Sequence, residues 1–130
     1  MQKFFLKLAA SLGALSVMLG AFGAHALKTM ISEKSLAVFE TGVRYQFYHV
    51  IALFITGMLY KEFTNNFLQW SGRLFYVGIL FFSGSLYILA FTETSALGGL
   101  RWVGAITPIG GACFIAGWVL LALGISLKNI

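Results

Sequence analysis

The sequence predicts an all-α integral membrane protein, a four-helix bundle with a short amphipathic interfacial helix between helices 1 and 2. Three observations predict it. Hydrophobic residues make up 59% of the 130 and charged ones only 10%, too few to clothe a water-soluble surface. The apolar residues gather into four runs, about 7–26, 43–60, 74–91 and 103–127, each near the roughly 20 helical residues that cross a hydrocarbon core about 30 Å thick. Fifteen glycines and thirteen phenylalanines fit packed helices, whereas barrel strands would alternate polar and apolar residues. Four crossings with short connections use the whole length, so residues 1–130 are expected to form a single transmembrane domain.

The first run carries a stripe of small residues. Ala9, Gly13, Ser16, Gly20 and Gly23 alternate steps of four and three, which keeps them on one side of a helix and lets a neighbour approach closely. Lys3 and Lys7, an apolar middle and Ala24-His25-Ala26 imitate a secretory signal. Further hydrophobic runs follow, so a retained first helix is expected.

In the connection from Leu27 to Gly42, Ser32 can cap a helix whose apolar face is Leu36, Phe39 and Val43, with Glu33, Lys34 and Glu40 elsewhere. This segment is expected to lie in the interface plane, with Gly42 as the bend into the second span. Glu40 and Arg44 stand four apart in the order that favours a helical ion pair.

The second run is strictly apolar only from Val50 to Tyr60, too short to cross. Its helix must therefore draw Arg44, Gln46 and His49 into or near the headgroup zone. Trp70 and Trp102 precede the third and fourth runs as interfacial anchors, and Tyr60 ends the second. Arg73 and Glu93 bracket the third run as edge residues. Gly98-Gly99 is expected to form the turn before the fourth run. Pro108 predicts a kink or a late helix start there. Gly110, Gly117 and Gly124 recur at intervals of seven beside Ala116. Helices one and four are therefore expected to pair tightly, the competing possibility being that one stripe is a homo-oligomer contact. Cys113, the single cysteine, is expected to be a small packing residue, and Trp118 to fill the bundle or face lipid.

The net charge of +5 comes from nine basic residues against four acidic ones, but the basic residues stand singly at span ends. That distribution speaks for membrane-edge anchors and against nucleic acid. Lys3, Lys7, Lys61, Arg73 and Lys128 share one side in a four-span topology, against Lys28, Lys34, Arg44 and Arg101. By the positive-inside rule this places both termini in the cytoplasm.

Ionisable groups within a membrane usually face a bundle interior or a wet cavity and find a partner, which makes them candidates for function. The candidate binding residues are His25, Arg44, Tyr45, Gln46 and His49, with Glu40. His25 and His49 are expected within about one helical turn of each other in depth. They can then act as a proton-responsive or metal-binding pair, or simply hydrogen-bond backbone or tyrosine partners and lock the hairpin. A metal needs three or four convergent ligands, and a continuous helix puts Glu40 on the side opposite His49, so no metal or cofactor is expected. Arg44 falls on the other side from His49, as a snorkelling residue or a lipid phosphate contact. No H-E-x-x-H, G-x-S-x-G, P-loop or cysteine pair is present, and no enzyme is expected.

The strings GAFGAHAL at 20–27, TGVRYQFYHVIAL at 41–53, LFFSGSLYILAFT at 80–92 and ITPIGGACFIAGW at 106–118 resemble those of a small family of uncharacterised bacterial inner-membrane proteins, itself similar to eukaryotic transmembrane protein 256. The resemblance spans essentially the whole chain. It implies a four-helix protein of the inner membrane and brings no substrate or catalytic residue. The matching positions include His25, Arg44, Tyr45, Gln46 and His49, with Pro108 as a structural element.

The leading expectation is a non-enzymatic membrane protein that binds a partner helix, membrane lipid or small amphiphile through its glycine-lined seams and polar hairpin. The alternative is a small transporter or channel, working as an oligomer, with a proton-responsive His25/His49 site. That alternative lacks a mid-membrane carboxylate, because the chain has no Asp and its four Glu stand at edges or loops.

Overall fold

The computed structural model describes residues 1–92 and 102–127. The Gly98-Gly99 turn and the edge residues Glu93, Arg101 and Lys128 lie outside the described residues. Among the described residues the chain is helical with no strand: α1 (Gln2–Ala24), a 3-10 turn (Leu27–Thr29), α2 (Glu33–Tyr60), α3 (Asn66–Gly78), a π-helical segment (Ile79–Ser83), α4 (Gly84–Ala90) and α5 (Thr107–Ser126).

The interfacial helix is not a separate element. Ser32 caps α2, its side chain accepting from Ser35 N at 3.1 Å, and the helix then continues unbroken through Gly42 for 28 residues. Two contacts explain why Gly42 is not a bend. Its missing side chain admits the ring of Tyr87, which a Cβ would meet at 2.8 Å, and its carbonyl accepts from Ser83 Oγ at 2.7 Å. The apolar face predicted to lie on lipid packs on protein instead. Phe39 is buried in a cluster with Leu27 and Ala90.

The third helix starts earlier than its apolar run. Asn65 caps α3 by accepting from Leu68 N, and its amide donates to Gly124 O on α5, both at 3.1 Å. α3, the π segment and α4 then follow one another without a break. Pro108 falls in the first turn of α5, where the missing N–H would have had no intrahelical partner. It marks a late start rather than a kink.

Small residues set which helices meet. Gly13 faces Val50, Gly20 faces Val43 and Gly23 faces Phe39, so the α1 stripe packs antiparallel on α2. The α5 glycines face the third helical stretch, Gly117 against Phe75 and Gly110 against Phe82. The expected pairing of helices one and four is thus corrected: the α1 seam is filled by α2, and the α5 seam by α3 and the π segment. Backbone carbonyls opened by the close approach gain hydroxyl donors, as in Ser71 Oγ to Gly117 O at 2.7 Å.

Three stretches, Gln2–Thr29, Asn66–Ala90 and Trp102–Ser126, are long and apolar enough to cross a membrane. Their outward surface is strongly apolar, with Val17, Leu80 and Ile115 each about two-thirds exposed. α2 is long enough by geometry, at about 1.5 Å per residue, but carries Arg44, Gln46 and His49 in its length.

Candidate functional site

The polar residues of α2 separate onto two faces. Gln46 and His49 are three apart and both buried, whereas Arg44 and Glu40 are exposed. Residues two apart stand about 200° from each other on a helix, so Gln46 and Arg44 take opposite sides of α2.

Gln46 is 2% exposed and joins three helices. Its Nε2 donates to Leu12 O of α1 at 3.2 Å, and its Oε1 accepts from Tyr87 OH of α4 at 2.5 Å. An amide in an apolar interior needs such partners, because leaving its donor or acceptor bare costs about 1–3 kcal/mol.

His49 is equally well satisfied. Nδ1 lies 2.7 Å from Tyr45 O, and Nε2 lies 3.1 Å from Trp118 Nε1. A carbonyl can only accept and an indole N–H can only donate, so the two contacts fix the ring as the neutral Nδ1–H tautomer. The imidazole also stacks on Phe114, with ring centroids 3.5 Å apart and planes within 7°. Phe75 and Trp118 close around it. Trp118, expected to be filler or a lipid contact, is the partner that ties α5 to α2.

The histidine pair is not assembled. With Gly13 opposite Val50 and Gly23 opposite Phe39, His49 is level with Ala14, roughly 16 Å along the axis from His25 at 1.5 Å per residue. His25 ends α1, exposed, its Nδ1 2.9 Å from Ala21 O. The expected closeness in depth fails because α2 begins well before its apolar run, which sinks His49 into the middle of the helix. Among the described residues no three His, Cys, Asp or Glu side chains gather in a way that could hold a metal ion.

Tyr45 is 38% exposed, its ring nearly parallel to that of His49 at 6.3 Å and tilted against that of Phe82 at 4.9 Å. Arg44 does not reach Glu40. Its guanidinium turns to Thr41 Oγ1 at 3.2 Å, toward the N-terminal end of α2, as helical side chains lean. Cys113 is half-buried and free.

Two open clefts flank α1. One, about 380 Å³, lies between α1 and the third helical stretch: Leu8, Leu12 and Leu15 form one wall, Ile79 and Leu80 the other, and Gln46 with Tyr87 a polar floor. Gly84 lines it, and a Cβ there would meet nothing within 4 Å. The other is a groove between α1 and the opposite side of α2, in two segments of about 260 and 280 Å³ that share Val43 and Arg44. Sequence reasoning missed Tyr87, Trp118 and Ser83 as partners. The available signal was the need for hydrogen bonds: an amide and an imidazole within a helix among apolar neighbours must find donors and acceptors on facing helices.

These features define a helical membrane protein in which Gln46 and His49 are turned inward and tied across helices, while Arg44 and Glu40 stay on the outer face. Residues 19–111 match a family described as a protein of unknown function, DUF423. A UPF0382 membrane protein of Staphylococcus haemolyticus is 46% identical over 122 residues, covering 94% of each chain. The UPF0382 membrane protein YwdK of Bacillus subtilis is 43% identical over 123 residues, covering 94% of this chain and 95% of its own. A UPF0382 membrane protein of Haemophilus influenzae is 40% identical over 124 residues, covering 95% and 94%. The chain belongs to the DUF423 family and is a membrane protein. No solved structure matches it.

Proposed function

We propose that this protein is a non-enzymatic, multi-pass protein of the bacterial inner membrane that takes up a small amphiphile from the bilayer in the cleft between α1 and the third helical stretch. In this reading α2 is the fourth crossing, because its most polar intramembrane groups, Gln46 and His49, are buried and hydrogen-bonded rather than offered to lipid. Both termini lie in the cytoplasm.

The observation that carries the reading is the cleft itself. Its walls are mainly aliphatic, it opens to the outside of the helices, and the side chains with polar atoms in its lining are Gln46, Tyr76 and Tyr87. Ligand sites are typically concave and mostly apolar, with a few placed polar groups that fix orientation. Gln46 uses one amide N–H on Leu12 O and one oxygen lone pair on Tyr87, and its chemistry leaves one N–H and one lone pair for a ligand. A hydroxyl or carbonyl on an otherwise apolar molecule matches that pair. Transport through a His25/His49 relay receives no support from the distance between them or from the occupied nitrogens of His49.

The experiment is native mass spectrometry and organic extraction of protein purified in mild detergent, comparing wild type with Gly84→Leu. A Cβ at Gly84 meets nothing within 4 Å, so the variant has room to extend a side chain from the cleft wall. A co-purifying amphiphile present in wild type and lost in Gly84→Leu supports the reading. The same bound molecules in both, or none in either, contradicts it.

A further inference from the structure

The groove on the other flank of α1 carries a different chemistry. We infer that it seats a phospholipid with a zwitterionic amino headgroup, the phosphate on Arg44, the ammonium on Glu40 and one acyl chain running down α1 and α2 past Val17 and Phe47. This site is distinct from the amphiphile cleft, since Arg44 and Gln46 face opposite sides of α2.

Four observations converge. Gly20 and Gly23 remove side chains from the α1 wall, so the two groove segments join at Val43 and Arg44. The result is a slot along the helix axis rather than a round pocket. The segment on the C-terminal side of Arg44, between Ser16, Val17, Phe47 and Tyr48, exposes only apolar surface, and the segment that holds Glu40 exposes some polar surface. That is the division an acyl chain and a headgroup require.

Depth agrees with the assignment. Gly23, next to the end of α1, faces Phe39, so the headgroup end of α1 is level with the residues beside Glu40. Arg44 lies about one turn deeper, and its contact with Thr41 raises the guanidinium toward that boundary. Among the described residues the guanidinium's side-chain partner is a hydroxyl, that of Thr41. An unneutralised arginine below the headgroups is strongly disfavoured, whereas a lipid phosphate accepts from its planar fork of donors.

Charge order selects the headgroup. Glu40 stands one turn nearer the N-terminus of α2 than Arg44, hence outermost, and the carboxylate does not pair with the guanidinium. A phosphate followed outward by a primary ammonium meets both residues in sequence, each with the opposite charge. An anionic lipid with no amine would set its outer polar group against Glu40 without compensation.

The test uses full-length protein in nanodiscs of equal phosphatidylethanolamine and phosphatidylglycerol with matched chains, released for native mass spectrometry. Wild type is expected to retain the ethanolamine lipid about fivefold over the glycerol lipid, from roughly 1 kcal/mol per surface charge contact. Arg44→Ala should lose retention of both. Glu40→Gln should keep phospholipid and lose the preference. Both positions are exposed, so thermal midpoints should stay close to wild type, and soluble glycerophosphoethanolamine should not displace the bound lipid. Gly84→Leu should leave this retention unchanged, which separates failure here from failure of the amphiphile cleft. Undiminished lipid in Arg44→Ala, a preference for phosphatidylglycerol, or an unaltered preference in Glu40→Gln overturns the assignment. So does a dimer that dissociates in Arg44→Ala with no change in lipid, because a second copy of the chain would then be the occupant.

Discussion

The indole N–H of Trp118 points at Nε2 of His49 across 3.1 Å, joining α5 to the middle of α2. The bond has a direction, because Nδ1 already faces a carbonyl. His49 therefore acts as an acceptor between helices and as a donor within its own. Its ring is held further by the parallel stack on Phe114.

Removing the donor should be felt at the acceptor. Trp118→Phe keeps an aromatic ring but leaves Nε2 without its partner, and the expected loss of stability is about 0.6–2 kcal/mol, the range for polar contacts between membrane helices. His49→Ala should cost more, since it also empties the stack. In a double-mutant cycle measured by thermal unfolding in detergent, the two losses should sum to more than the loss in the double variant. Strict additivity would mean that the contact contributes nothing.

Gln46 and Tyr87 form the second lock. Tyr87→Phe strips one donor from Gln46 Oε1 and should destabilise by about 1 kcal/mol. Gln46→Leu frees the Tyr87 hydroxyl and the α1 contact together and should exceed it. If the amphiphile engages Gln46, Gln46→Leu should also lower ligand retention at temperatures where the protein remains folded, as read from bound ligand per folded protein.

Two glycines in one helical stretch should respond in opposite ways to alanine. At Gly78 a Cβ would meet the Phe114 ring at 2.5 Å and Gly110 O at 3.2 Å, so Gly78→Ala should destabilise by about 1–3 kcal/mol through overpacking. At Gly84 nothing lies within 4 Å, and Gly84→Ala should stabilise by about 0.5–1 kcal/mol through helix propensity alone. Thermal midpoints of the two variants, measured side by side, check both signs.

The apolar runs announced the helical stretches because hydrophobic length is a local property of the chain. The caps at Ser32 and Asn65 were of the same local kind, although only Ser32 was used, and α3 consequently began eight residues ahead of the run predicted at 74. Partner choice was not local. Glycine stripes on α1 and α5 look alike in sequence, yet what fills them depends on facing rings, Phe39 for one and Phe75 with Phe82 for the other. The continuity of α2 through Gly42 likewise depends on Tyr87 and Ser83, some forty residues away. Of the candidate site, Gln46 and His49 were legible as polar intrusions. Their partners Leu12 O, Tyr87 and Trp118 were not, since they are defined by the packing.

If α2 crosses the membrane with Gln46 and His49 turned inward, its two ends lie on opposite faces of the bilayer, which cysteine accessibility measures. In a Cys113→Ala background, Lys34→Cys and Lys61→Cys flank the two ends of α2 and can be labelled on intact cells and on inverted vesicles with an impermeant thiol reagent. Lys34→Cys is expected to label from outside the cell and Lys61→Cys only from the cytoplasmic side, together with the N-terminus. Labelling of both positions from one side would contradict the crossing.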